Sequence, residues 1–132
     1  MGLEALGTAW APRLLSVLRI MTGLLLLQHG LGKIFKFPVI PAFAKLDLVS
    51  MPGIAGFFEL IGGVLLVIGL FSRCAAFLVS GMCAVGYFMV HAPRGFYPIL
   101  NGGELIALYA FVLLYLAAAG PGPWSIDAAR KR

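Results

Sequence analysis

The stretch from Leu14 to Phe37 reads LLSVLRIMTGLLLLQHGLGKIFKF. It is long and apolar enough for a membrane-spanning helix, yet it carries Arg19, Gln28, His29 and Lys33. Hydrocarbon offers such groups no water, and insertion scales put the cost of one central Arg or Lys at roughly 2.5–3.5 kcal/mol. Four polar residues in one span therefore need partners inside the protein, or a function. Steps of three and four residues from Arg19 pass through Thr22, Leu26, His29 and Lys33, which share one helix face. That face is expected to look inward, toward other helices.

The remainder of the chain supplies those helices. Of its 132 residues, 61% are hydrophobic and only 11% charged, against about 25% charged in soluble domains. Hydrophobic runs and their breakers place spans at about 14–36, 52–71, 74–91 and 103–119. Pro12 is expected near the start of the first, and Pro38 and Pro41 close it. Pro52 opens the second, and Ser72-Arg73 forms a tight link to the third. The loop APRGFYPILNGG suits an ordered interfacial cap. Gly120-Pro121-Gly122-Pro123 ends the fourth span, and Trp124 anchors the tail. The expected fold class is an all-α integral membrane protein, a four-transmembrane-helix bundle forming one domain over residues 1–132, without internal repeats.

Several functions are disfavoured. The net charge of +5 sits at span ends and in the tail, where lipid head groups and the positive-inside rule account for it, so no nucleic acid is expected as a partner. Cys74 and Cys83 lie about 13 Å apart along one helix, too far to bond to each other, and read as small apolar fillers. The residues before Arg13 hold Glu4 and no base, the reverse of a secretory leader, so the first run is expected to stay in the mature protein.

An even number of spans puts both termini on one side. Arg13, Arg73, Arg130, Lys131 and Arg132 fall there, against Lys33, Lys36, Lys45 and Arg94 opposite, so the termini are expected to be cytoplasmic. In that arrangement Gln28, His29, Lys33, Glu59, His91, Asn101 and Glu104 all lie in the outer half. Glu59, the most deeply placed acid, is expected within about 4 Å of Lys33 or His29, the reach of a charged contact. A pocket lined by Tyr87 and residues 95–99 is expected beside it. Arg19 and Arg73 are left near the inner surface, free to snorkel. The glycines sharing a face with Glu59, Gly62 and Gly69, are expected to admit a neighbouring helix.

Arg19 with QHGLGK at 28–33, FFELIGGVLLVIGLFSR at 57–73, GFYPILNGGE at 95–104 and GPGPWSID at 120–127 together resemble the DoxX family of small four-span bacterial membrane proteins. The likeness covers nearly the whole chain. It implies a multi-pass four-helix bundle in the bacterial inner membrane. It also implies a link to oxidoreductase systems, including thiosulfate:quinone oxidoreduction and membrane redox complexes against oxidative stress.

Two classes of function follow. In the first the chain is a quinone- or small-oxidant-binding oxidoreductase subunit. His29, Lys33, Glu59 and Glu104 are then the catalytic candidates, holding an oxygen and relaying protons. Gln28, Tyr87, His91, Asn101 and Tyr109 are the candidates for lining a quinone site. In the second it is a non-catalytic scaffold for a redox or stress-response complex, with the same cluster serving packing. A small transport or proton-relay element is a third reading. Neither metal nor haem is expected, because His29 and His91 differ in depth and no attachment motif exists. Expected partners are membrane lipids, a small hydrophobic ligand, a redox protein and a further copy of the chain.

Overall fold

The computed structural model describes residues 2–131; Arg132 lies outside them. All regular structure among these residues is helical. The elements are α1 (Leu3–Ile34), α2 (Met51–Ile68), α3 (Ser72–Gly86), α4 (Pro98–Asn101), α5 (Glu104–Ala119) and α6 (Ile126–Arg130). A π turn, Tyr87–His91, and a 3-10 turn, Ala92–Arg94, prolong α3. Three helices are long and apolar enough to cross a membrane: α1, α2, and α3 with its extension to Arg94. α5 is equally apolar but has 16 residues.

α1 begins well before the expected Leu14. Residues 3–11, LEALGTAWA, are mostly strong helix formers, and the helix runs through Pro12 instead of starting there. The whole stretch to Leu14 is exposed, so α1 projects from the bundle by several turns.

Two antiparallel pairs make the bundle, α1 with α2 and α3 with α5, joined by the short turn between α2 and α3. Backbones in the first pair nearly touch. A Cβ on Gly30 would stand 2.5 Å from the Leu60 amide nitrogen, and one on Gly63 2.8 Å from that of Leu27. Small residues permit this approach where lipid supplies no hydrophobic drive. Gly62 takes its expected packing role, since a Cβ there would stand 2.6 Å from the Val79 side chain. Gly69 does not. Its left-handed φ of 72° closes α2 as a C-cap, with the Leu70 N–H donating to the Leu65 carbonyl at 2.9 Å. Between the pairs Leu26, Leu66, Ala76, Val79, Leu113 and Leu116 form the core.

The tail is part of the fold. Asp127 accepts from the Phe71 and Ser72 amides at 2.9 and 2.8 Å, capping α3 from a distant segment. Burial pushes its carboxyl upward. The two amide donors, with Arg130 nearby, outweigh this and hold it below the usual carboxylate range.

Candidate functional site

The α1 stripe faces inward as expected: Arg19, Thr22 and Leu26 are buried, and His29 and Lys33 are half-buried. Opposite Lys33, Gly56 leaves room for the lysine stem, which lies 3.0 Å from where a Cβ would stand. One turn further along α2, Glu59 meets the lysine. Lys33 Nζ donates to Glu59 Oε1 at 2.5 Å, and His29 Nδ1 lies 3.8 Å from Oε2. Both distances fall within the expected 4 Å. The Glu59 side chain is only 8% exposed, that of Lys33 12% and that of His29 32%. Exposure thus falls from the histidine to the acid.

Three more side chains complete the surroundings. Tyr109 on α5 meets the His29 ring edge-on at 6.4 Å. Its hydroxyl is buried and has no hydrogen-bond partner among the described residues. The Cys83 thiol is also buried, as part of the apolar core that Tyr109 joins. The Phe43 ring covers Lys33 Nζ at 5.3 Å. Phe43 is held there because Lys36 Nζ donates to its carbonyl at 2.8 Å and to that of Lys33 at 3.1 Å. The sequence carried no signal for Phe43, since its loop has no periodicity.

The expected single cluster is in fact two. Tyr87, His91 and Asn101 gather above the Lys33–Glu59 pair, where they hold the loop before α5. Asn101 Nδ2 donates to Tyr87 Oη at 3.1 Å and to the Gly95 carbonyl at 3.0 Å, and its Oδ1 accepts from the Gly103 amide at 2.8 Å. His91 Nδ1 lies 3.1 Å from the Asn101 carbonyl, and its ring stacks on Tyr87. Their hydrogen bonds go to the loop, and the recess beside His29 is not lined by Tyr87 or residues 95–99. That recess, about 180 Å³, is lined by Gln28, His29, Pro38 and Ile40. Gln28 is exposed at its mouth. Glu104 is exposed at the first position of α5, where the helix dipole favours an acid, and among the described residues it joins no ion pair.

Arg19 and Arg73 correct the sequence reading, because neither is free. Arg19 is 1% exposed. Its Nε donates to the Leu66 carbonyl at 2.8 Å, Nη2 to that of Trp124 at 2.7 Å and Nη1 to that of Pro121. Ser16 Oγ joins the same knot by accepting from the Trp124 amide at 3.1 Å. Arg73 donates to the Ala117 and Ala118 carbonyls at the end of α5. Backbone acceptors carry no residue identity, which is why sequence could not reveal these partners.

The DoxX family model matches residues 14–92, which contain His29, Lys33, Glu59, Tyr87 and His91. The chain belongs to the DoxX family. An uncharacterized protein of Haemophilus influenzae is 38% identical over 123 residues, covering 89% of this chain and 91% of its own length. A second uncharacterized protein of that organism is 32% identical over 74 residues, covering 56% of this chain and 49% of its own. No solved structure matches significantly. This DoxX protein is thus a membrane protein of apolar helices in which a buried Glu59 meets the half-buried Lys33 and His29.

Proposed function

We propose that this DoxX protein is a redox-associated, multi-pass protein of the bacterial inner membrane, crossing it four times with both termini in the cytoplasm. Its His29–Glu59–Lys33 centre serves a quinone or small oxidant. The observation that carries the proposal is the buried Glu59 carboxylate, bonded to Lys33 and facing a half-exposed histidine. Ionisable groups at membrane depth mark pathways for protons or ligands. A merely structural ion pair has no need of the third, more exposed member.

The recess of about 180 Å³ is smaller than a closed ligand pocket, so a quinone would rest only the edge of its ring there, with the rest in lipid and Gln28 and His29 at the wall as donors for a carbonyl oxygen. A bound quinone would supply two-electron, two-proton chemistry. The chain's own part is protonic. His29 would hand a proton to a quinone oxygen as a redox partner reduces it and regain one from water at the recess, while the Glu59 carboxylate orients the ring across the 3.8 Å gap and Lys33 balances the carboxylate charge. Asn101 and its partners close the route past the end of α5, which leaves the side facing Pro38 and Ile40 for entry.

The test is extraction of lipids from the purified protein. Quinone near one per chain is the expected result, and its loss in a folded His29→Ala variant ties it to the recess. A second reading, the non-catalytic assembly partner, is favoured by α1, whose projecting turns expose Leu3 (88%), Leu6 (45%) and Trp10 (44%). Stoichiometric co-purification of a redox protein that is lost when residues 2–11 are removed would support it.

A further inference from the structure

The loop between α3 and α5 is more apolar on its outside than a solvated loop has reason to be. Phe96, Tyr97, Ile99 and Leu100 are 86%, 61%, 76% and 78% exposed. Exposed apolar patches mark surfaces that something covers. The register of α3 against α5 indicates what. At one end Arg73 meets the carbonyls of Ala117 and Ala118, midway Ser80 Oγ donates to that of Ala110, and at the other end Tyr87 meets Asn101 and Gly103.

From Arg73 to Tyr87, α3 rises about 21 Å at 1.5 Å per residue. α5 begins at that height. A hydrocarbon core is about 30 Å thick. α3 makes up the difference by continuing through its π turn to Arg94, and residues 95–103 must then descend again to reach Glu104. Backbone at that depth is tolerated only when its polar groups find partners in the protein. Asn101, 2% exposed, supplies them at the two ends of the segment: it accepts from the Gly103 amide and donates to the Gly95 carbonyl, while His91 lies against its own carbonyl. Between the ends the Tyr97 carbonyl takes the Leu100 and Asn101 amides at 2.9 Å.

We infer that residues 95–103 form a shallow re-entrant cap, with Phe96, Ile99 and Leu100 seated in the acyl chains of the bilayer and Asn101 tying the two ends of the segment together. Glu104 sets the limit of depth. Its exposed carboxylate stands at the foot of the cap and must still reach the head groups. The insertion is therefore of the kind seen for interfacial amphipathic segments, about 5–10 Å into the boundary. It rests on α5 crossing the bilayer, as proposed above.

Nitroxide accessibility in vesicles of phosphatidylethanolamine and phosphatidylglycerol tests it. Labels are placed at Ile99→Cys and Leu100→Cys. Phe111→Cys, 73% exposed in mid-α5, is the lipid reference, and Lys45→Cys, exposed in the 37–50 loop, is the aqueous one. All carry Cys74→Ser, and buried Cys83 is left in place. The ratio of collisions with oxygen to collisions with a water-soluble nickel chelate is expected to be several-fold higher at Ile99 and Leu100 than at Lys45, approaching that at Phe111. Asn101→Ala is expected to move the Ile99 label toward the Lys45 value.

A lipid-like Phe111 with Ile99 and Leu100 as nickel-accessible as Lys45 would overturn the cap and leave α5 in the membrane. Low collision with both reagents would overturn it in favour of a protein or a second copy on that face. A nickel-accessible Phe111 would overturn the cap together with the four-crossing reading.

Discussion

Two cations of α1 are buried in this bundle, and the protein treats them differently. Arg19 gives its guanidinium to three backbone carbonyls, from α2 and from the tail, and is 1% exposed. Lys33 faces an acid, with a half-exposed histidine and a recess beside it. The planar fork of arginine suits the first task because several fixed acceptors can be held at once, whereas the ammonium of lysine suits a single exchangeable partner. A polar group whose every bond ends on backbone holds a fold together. One whose bonds end on titratable side chains beside an opening is placed for chemistry.

The sharpest way to break the comparison is at Arg19. Arg19→Met strands one buried carbonyl, that of Leu66, and two part-buried ones, those of Pro121 and Trp124. A buried one costs about 1–3 kcal/mol when unpaired and the others less, so a loss on the order of 3 kcal/mol is expected. In detergent this reads as loss of folded yield. Arg19→Lys is expected to rescue little, since one ammonium cannot span carbonyls from separate segments. A well-folded Arg19→Met protein would mean the tail is held by something else.

Lys33→Met comes next. It leaves Glu59 buried without its partner, and about 3 kcal/mol of destabilisation is expected. The double substitution Lys33→Met, Glu59→Leu removes both charges and is expected to regain most of that stability, since apolar replacement of a buried pair is often neutral. Quinone retention is expected to stay lost in the double variant. Thermal melts and lipid extracts from one preparation check both. Retention in a stable double variant would place Lys33 and Glu59 with Arg19, as structure.

Asp127 belongs to the structural side and gives a pH signature. Its folded-state carboxyl is held below the ordinary value of 3.8. The resulting stability is present above that value and lost as pH falls through the lower, folded one. Asp127→Asn is expected to cost about 1 kcal/mol near neutral pH, as for loss of a helix cap, and to flatten the acid limb. Denaturant midpoints from pH 7 down to pH 3 measure it.

The smallest effect is the most discriminating. The buried Tyr109 hydroxyl has no partner among the described residues, so Tyr109→Phe is expected to leave stability unchanged or raise it by up to about 1 kcal/mol. Weaker quinone binding in the same variant would show that a ligand or water normally satisfies that hydroxyl.

How much of this the sequence disclosed follows from what each contact is made of. The pairing of Glu59 with Lys33 and His29 was legible, because helical spacing fixes depth and a buried acid must find a cation. The starts of α2 and α5 were legible from Pro52 and from the Gly102-Gly103-Glu104 junction. The long N-terminal run of α1 was obscured by Pro12, whose local penalty is outweighed by good helix formers on both sides. The knot around Arg19 was hidden because its acceptors are peptide carbonyls. The separation of Tyr87, His91 and Asn101 from Glu59 was hidden for a related reason: side chains at similar depth were free to turn toward a loop, and the loop's unpaired backbone drew them.

The central claim, that the His29–Glu59–Lys33 centre is a ligand site and not a packing device, is tested most directly by titrating a short-chain quinone into wild-type protein and a Glu59→Gln variant in nanodiscs, with melting curves taken in parallel. Glutamine keeps the shape and can still accept from Lys33, so the variant is expected to remain folded while its quinone affinity falls at least about tenfold, the 1.4 kcal/mol of one lost charged contact. Equal affinity in two equally stable proteins would contradict the claim and reduce Glu59 to a partner for Lys33 alone.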